Sequence, residues 1–241
     1  MIMPTFLRKL SPTERFFPGR NVHNTSILVK GQSFQVSRIE IATATYRKLG
    51  LNPKFFVPGV KVYLMNEANY SRFCRLADLD PSQIGGFYPL ARGGEEEAVS
   101  AGKLLKLSNQ SRVVVLPEEF EKITLLHELA HDIFLNGSLL PAERNELARL
   151  IIANTRQVLN TRPDSEEAKF IIKVASACQQ RYNFEPIKEL SLIPHEITRE
   201  MQIFAGEMFA YGVEKKVTGD SKMGQIPQEL NIYLDHLGIK L

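Results

Sequence analysis

The 241-residue sequence has only two cysteines, no apolar run of bilayer length and no repeat or low-complexity tract. A helix that crosses a bilayer needs about 20 mostly apolar residues, so no membrane span is expected. Cys74 and Cys178 have no metal-ligand spacing and lie in helical patterns, which predicts buried free thiols. The segment Met1–Phe17 lacks a signal-peptide core with a cleavage site. These features predict a cytoplasmic protein without disulfides, although export without a cleavable signal would leave no trace in the sequence.

Charge is modest in total but uneven along the chain. The net charge is +3, yet residues 1–60 carry nine Lys or Arg residues against only Glu14 and Glu40, so the remainder is acidic. A basic segment can attract nucleic acid or an anionic surface. These basic residues are scattered, however, and no nucleic-acid-binding motif accompanies them. They indicate a solvated basic face, and a nucleic-acid partner is not expected.

Strand patterns dominate the first half of the sequence and helical patterns the second. Strands are predicted in a hairpin around Gly31-Gln32, in Phe55–Met65, at a sheet edge in Ile84–Pro89 and in Arg112–Leu116. Helices are predicted before Gly50, in Glu67–Ala77, in Glu121–Asn136 after an opening at Pro117, and in Ala142–Asn160, Ser165–Gln180, Pro194–Lys216 and Pro227–His236. This segregation predicts an α+β fold, with a small N-terminal mixed sheet, an active-site helix and a mostly helical C-terminal half.

The most informative motif is His-Glu-x-x-His, formed by His127, Glu128 and His131 inside a predicted helix. Residues four apart lie on one helix face, so the two imidazoles can converge on one Zn²⁺. Glu128 lies about 100° around the helix, where its carboxylate can reach a water on the metal. The alternative is a pair of hydrogen-bonded core histidines with Glu128 paired to a basic side chain. Two histidines at this spacing with the intervening glutamate favour zinc.

A catalytic zinc usually has three protein ligands and a water, so one ligand is still missing. Glu207 is the favoured third ligand because apolar and small residues surround it, which lets its helix approach another helix closely. Glu146 is the second choice, since charged neighbours around it indicate a solvated helix face. Glu200 and His195 are further alternatives.

Two segments of the chain resemble zincin metallopeptidases. Residues 127–131, with the sequence His-Glu-Leu-Ala-His, resemble the zincin active-site helix, and residues 207–210, Glu-Met-Phe-Ala, resemble the Glu-Phe-Phe-Ala element of gluzincins related to anthrax lethal factor. The resemblance implies one zincin-like domain over 1–241, with Glu207 as third ligand and Glu128 as general base. A basic elaboration then occupies 1–54, and a helical insertion occupies 138–193. The chain departs from the family at Glu200, where members commonly have a tyrosine, and at Asp132, where they usually have an uncharged residue.

The predicted activity is therefore zinc-dependent endopeptidase chemistry on a protein or peptide substrate. His195 and Tyr211 are the candidate donors to the developing oxyanion. Gly86 and Tyr88 lie in the predicted edge strand, which could pair with an extended peptide and so bind the substrate. The alternative function is a regulatory or toxin-like binding protein that keeps the zincin fold with little or no peptidase activity. Retention of Glu128 weighs against that alternative, since a purely structural zinc does not need this glutamate.

Overall fold

The computed structural model describes residues 11–17, 22–53, 59–77, 79–82, 85–86, 112–136, 141–191 and 197–239. In these ranges the protein is α+β, with a small mixed sheet followed by a mostly helical remainder, which confirms the predicted class. The strands are β1 (His23–Val29), β2 (Gln32–Glu40), β3 (Lys61–Met65) and β4 (Val113–Pro117). The α-helices are α1 (Pro12–Phe16), α2 (Thr43–Leu49), α3 (Glu67–Leu76), α4 (Lys122–Asn136), α5 (Pro141–Thr161), α6 (Glu166–Tyr182), α7 (Pro186–Ser191), α8 (Arg199–Thr218) and α9 (Gln228–His236).

The described strands form one sheet in the order β1-β2-β3-β4. β1, β2 and β3 are antiparallel neighbours, whereas β3 and β4 run parallel. Lys30 and Gly31 connect β1 to β2 with positive φ values of 46° and 77°, as a two-residue type I′ turn requires. The predicted hairpin is confirmed, with its turn one residue earlier than expected. Because β2 pairs with β3, this part of the basic 1–54 segment belongs to the same sheet as the rest.

β4 is buried on both faces, as its run of apolar residues predicts. Val113 and Val115 belong to a small core beneath α3, whereas Val114 and Leu116 belong to the main core. This alternation follows from the two-residue period of a strand. β4 therefore holds the sheet against the helical part of the protein, which contains the histidine motif.

α4 and α8 pack together in the main core, and both are buried on most sides. Gly206 lies at this contact, where a Cβ would be at ordinary van der Waals distance, 3.6 Å from the Phe134 ring and 3.9 Å from Nδ1 of His131. Ala205 and Ala210 are also fully buried. The small residues around position 207 therefore lie in the contact between α4 and α8, as the sequence predicts. These two helices carry the proposed metal ligands.

Two predicted helix starts are wrong. Pro117 ends β4 instead of opening a helix, because it pairs with Met65 in the parallel register and the amide of Glu118 donates to the Met65 carbonyl at 2.8 Å. α4 begins at Lys122 as a result. α8 begins at Arg199, not at Pro194, because Thr198 has extended backbone angles and its side chain accepts from the Met201 amide as an N-cap.

Other expectations have mixed outcomes. The predicted edge strand Ile84–Pro89 lies mostly outside the described residues, and its described part, 85–86, is not in a strand. Short helices α1 and α7 are not expected from the sequence. Cys74 and Cys178 are buried and form no disulfide, as predicted. Among the described residues, no helix is long and apolar enough to cross a membrane.

Candidate metal centre

α4 places His127 and His131 on one face, one turn apart. Both are buried, with only 8% and 4% of their surface exposed, and their Nε2 atoms lie 3.1 Å apart. The rings meet edge to face with centroids 4.8 Å apart. The arrangement follows from the i, i+4 spacing. It directs one nitrogen of each imidazole to a common point.

Glu207 reaches the same point from α8. Its Oε2 lies 3.3 Å from Nε2 of His127, and its Oε1 lies 3.3 Å from Nε2 of His131. Donor atoms about 2.0–2.2 Å from a tetrahedral zinc are separated from one another by about 3.3 Å. The spacing of the three side chains therefore fits a zinc ion. The sequence-based preference for the glutamate of α8 agrees with this geometry.

The two described alternatives, Glu146 and Glu200, do not join this cluster. The Glu146 side chain on α5 is 73% exposed and faces Arg149 at 3.7 Å, as expected for a solvated helix face. Glu200 lies in the first turn of α8, two turns before Glu207. His195 lies outside the described residues. Within the described ranges, the group with metal-ligand geometry consists of His127, His131 and Glu207.

Two side chains of α8 contact His127 from the other side. Oε2 of Glu214 lies 3.4 Å from Nδ1, and the Tyr211 ring meets the imidazole edge to face with centroids 4.8 Å apart. A proton on Nδ1 directed to a carboxylate leaves the Nε2 lone pair for a metal, which is the usual support of a ligating histidine. Glu214 thus lies where it can orient the His127 ring with Nε2 toward the cluster.

The electrostatics of the centre favour a cation. Burial lowers the pKa of His127, but the carboxylates of Glu207 and Glu214 outweigh burial and raise this pKa to about 10. Burial also opposes ionisation of Glu207, yet His131 and His127 hold its pKa well below the usual value. The carboxylate of Glu128 adds further negative charge near His127. A divalent cation between the ligands would neutralise this excess.

Glu128 is only 2% exposed, and its Oε2 has no hydrogen-bond partner among the described residues. Its Cγ lies 3.4 Å from the position of a Cβ on Gly86. A buried carboxylate oxygen without a partner is costly to folding. Its retention beside two histidines is typical of a functional group.

Asp132, which departs from the usual zincin pattern, has a structural role. Its carboxylate accepts two hydrogen bonds from Arg112, one of them from Nε at 2.7 Å. Arg112 directly precedes β4. This bidentate pair links the start of the strand to the middle of α4, so Asp132 fixes the histidine helix against the sheet.

The sequence gives no sign of two contacts that α6 makes with Glu207. The hydroxyl of Tyr182 donates to Oε1 at 2.7 Å, and Nη1 of Arg181 lies 3.7 Å from the same oxygen. Neither residue belongs to a recognisable motif. The predicted insertion 138–193, which contains α6, thus contributes side chains to the candidate centre.

The remaining predicted site residues are only partly described. Gly86 is buried against α4 and β4, where an added Cβ would lie 2.4 Å from Cδ2 of Leu116 and 3.0 Å from Cγ2 of Thr124. Tyr88, like His195, is outside the described residues.

Comparisons with protein-family models, curated proteins and solved structures find no match to this chain. The functional argument therefore depends on the site itself.

Proposed function

We propose that the protein is a zincin-type, zinc-dependent endopeptidase, with His127, His131 and Glu207 as metal ligands and Glu128 as general base. The proposal depends chiefly on the buried cluster of two imidazoles and a carboxylate. This ligand set is typical of catalytic zinc, which keeps a fourth position open. The unpartnered oxygen of Glu128 supports an enzyme over a purely structural metal site.

Each polar group of the centre has a role in peptide hydrolysis. Bound zinc would supply Lewis-acid chemistry that acidifies water and polarises the scissile carbonyl. Glu128 takes the proton of the attacking water and passes it to the leaving amine. Glu214 keeps the His127 ring oriented. Tyr211 and His195 are the proposed donors to the developing oxyanion, and Tyr211 already packs against His127.

We also propose that the segment around Gly86 and Tyr88 binds the substrate. Gly86 lies against both Leu116 and Glu128, so position 86 is next to the proposed base. An extended peptide that pairs here would have its backbone close to the metal centre. Because Gly86 has no side chain, its backbone can lie this close to α4.

Replacing Tyr88 by Ala tests the substrate segment. We expect KM to rise roughly tenfold or more, because loss of one side-chain contact typically costs that much in substrate discrimination. Zinc content, measured by metal analysis, should stay unchanged. A variant with the KM and cleavage preference of the parent on every peptide tested would place substrate binding elsewhere.

The peptidase proposal is tested with a diverse peptide library and the zinc-loaded protein. Cleavage is expected with zinc, should stop when a chelator removes it, and should return when zinc is added back. Mass spectrometry of the products identifies the bonds that are cut. If the fully zinc-loaded protein cleaves nothing in the library, the peptidase proposal is wrong and the zinc-containing binding protein replaces it.

A further inference from the structure

The end of α6 contacts the proposed third ligand, although α6 carries no part of the metal motif. The Tyr182 hydroxyl donates to Oε1 of Glu207 at 2.7 Å, and the Arg181 guanidinium lies 3.7 Å from the same oxygen. Both contacts are thus made to one oxygen. Oε1 also lies 3.3 Å from Nε2 of His131, while Oε2 lies 3.3 Å from Nε2 of His127.

From the Tyr182 hydrogen bond we infer that Tyr182 is a positioning residue that fixes the Glu207 carboxylate for metal binding. The inference depends on the metal site of the proposed function, but not on peptidase activity. The phenol donates to Oε1 and so limits rotation of a carboxylate whose two oxygens face His131 and His127. A ligating carboxylate commonly needs such a partner, and loss of the partner weakens metal binding.

The donor is itself held in place. The Tyr182 ring stacks on Phe184 with centroids 6.3 Å apart, and the Arg181 guanidinium carbon lies 5.4 Å from its centroid. Asn183 then ends the helix with a left-handed backbone, φ 53°. A phenol whose ring already packs against two neighbours loses little conformational freedom when it donates. Tyr182 can therefore restrict the rotation of the Glu207 carboxylate.

The test is the zinc affinity of Tyr182→Phe, measured by competition with a chromophoric chelator. This change removes the hydroxyl and keeps the ring, so a thermal melt should confirm an intact fold. We expect zinc to bind about 10- to 100-fold more weakly, the usual cost of removing a partner of a metal ligand. Tyr233→Phe is the matched control, because that ring on α9 packs against Phe209 of α8 instead, and its zinc affinity should stay within about threefold of the parent.

A double-mutant cycle shows whether the effect passes through Glu207. In a Glu207→Ala background, Tyr182→Phe should have no further effect on the residual zinc affinity. An unchanged affinity of the single variant, or an equal loss in both backgrounds, overturns the inference. Zinc binding that depends on Tyr182 without peptide cleavage would leave the inference standing and overturn the proposed function. Peptide cleavage by a protein whose zinc affinity does not depend on Tyr182 would overturn the inference and leave the proposed function standing.

Discussion

Glu128→Gln is expected to keep its zinc and to lose at least about 100-fold in turnover, the usual contribution of a general base. Glutamine preserves the volume of the side chain but cannot take a proton as a carboxylate does. Because Oε2 of Glu128 has no hydrogen-bond partner among the described residues, the amide breaks no bond made by that oxygen. Steady-state kinetics and metal analysis on the same preparation separate proton transfer from metal binding.

Thermal stability gives this prediction a second readout. A neutral amide is less costly to bury than an ionised carboxylate, so the Tm of Glu128→Gln should equal or exceed that of the parent. Glu146→Gln is the control, since that carboxylate is largely exposed, and neither turnover nor Tm should change. Loss of zinc from Glu128→Gln would contradict the role of base and make Glu128 a ligand or a structural support.

Glu207→Ala should abolish stable zinc retention. The substitution removes one of three protein ligands and leaves two imidazoles from a single helix, which no longer enclose the ion. We expect about one zinc per chain in the parent and far less in the variant after dialysis against a weak chelator. Inductively coupled plasma mass spectrometry gives the ratio directly.

Two further variants make the assignment of Glu207 specific. Glu207→Gln keeps the volume of the side chain, so loss of zinc in this variant excludes cavity formation as the cause. Glu146→Ala should retain zinc, because its side chain points into solvent on α5. Full zinc retention in Glu207→Ala, with loss in Glu146→Ala, would move the third ligand to α5 and contradict the geometry of the buried cluster.

Local patterns predict much of the fold, and long-range contacts account for what they miss. The helical period and the histidine motif predict most of α4 and its end at Asn136, but the expected opening at Pro117 is too early. Pro117 was misassigned because a proline after a strand suits both a strand end and a helix start, and its pairing with Met65 is a tertiary contact. α1 and α7 span 5 and 6 residues, too few for a periodic pattern to emerge.

At the site, too, local patterns predict some residues, and long-range contacts determine the others. His127, Glu128 and His131 occupy one helix, so their spacing alone predicts their geometry. The small and apolar residues around Glu207 indicate a helix that can approach another helix closely, which the structure bears out. Tyr182 could not be predicted in this way, because its contact with Glu207 depends on how α6 packs against α8. The hydrogen bond between Arg112 and Asp132 is likewise a tertiary contact that no local pattern indicates.

The packing of α4 against α8 would give a bound metal a mechanical role in a chain whose two cysteines form no disulfide. An ion shared by His131 and Glu207 would join positions that are distant in the sequence. The coordination bonds would then close a loop of the chain that contains α5, α6 and α7. Such a cross-link restricts the unfolded chain much as a disulfide does. Unlike a disulfide, it is indifferent to a reducing environment and responds to the supply of free metal ions.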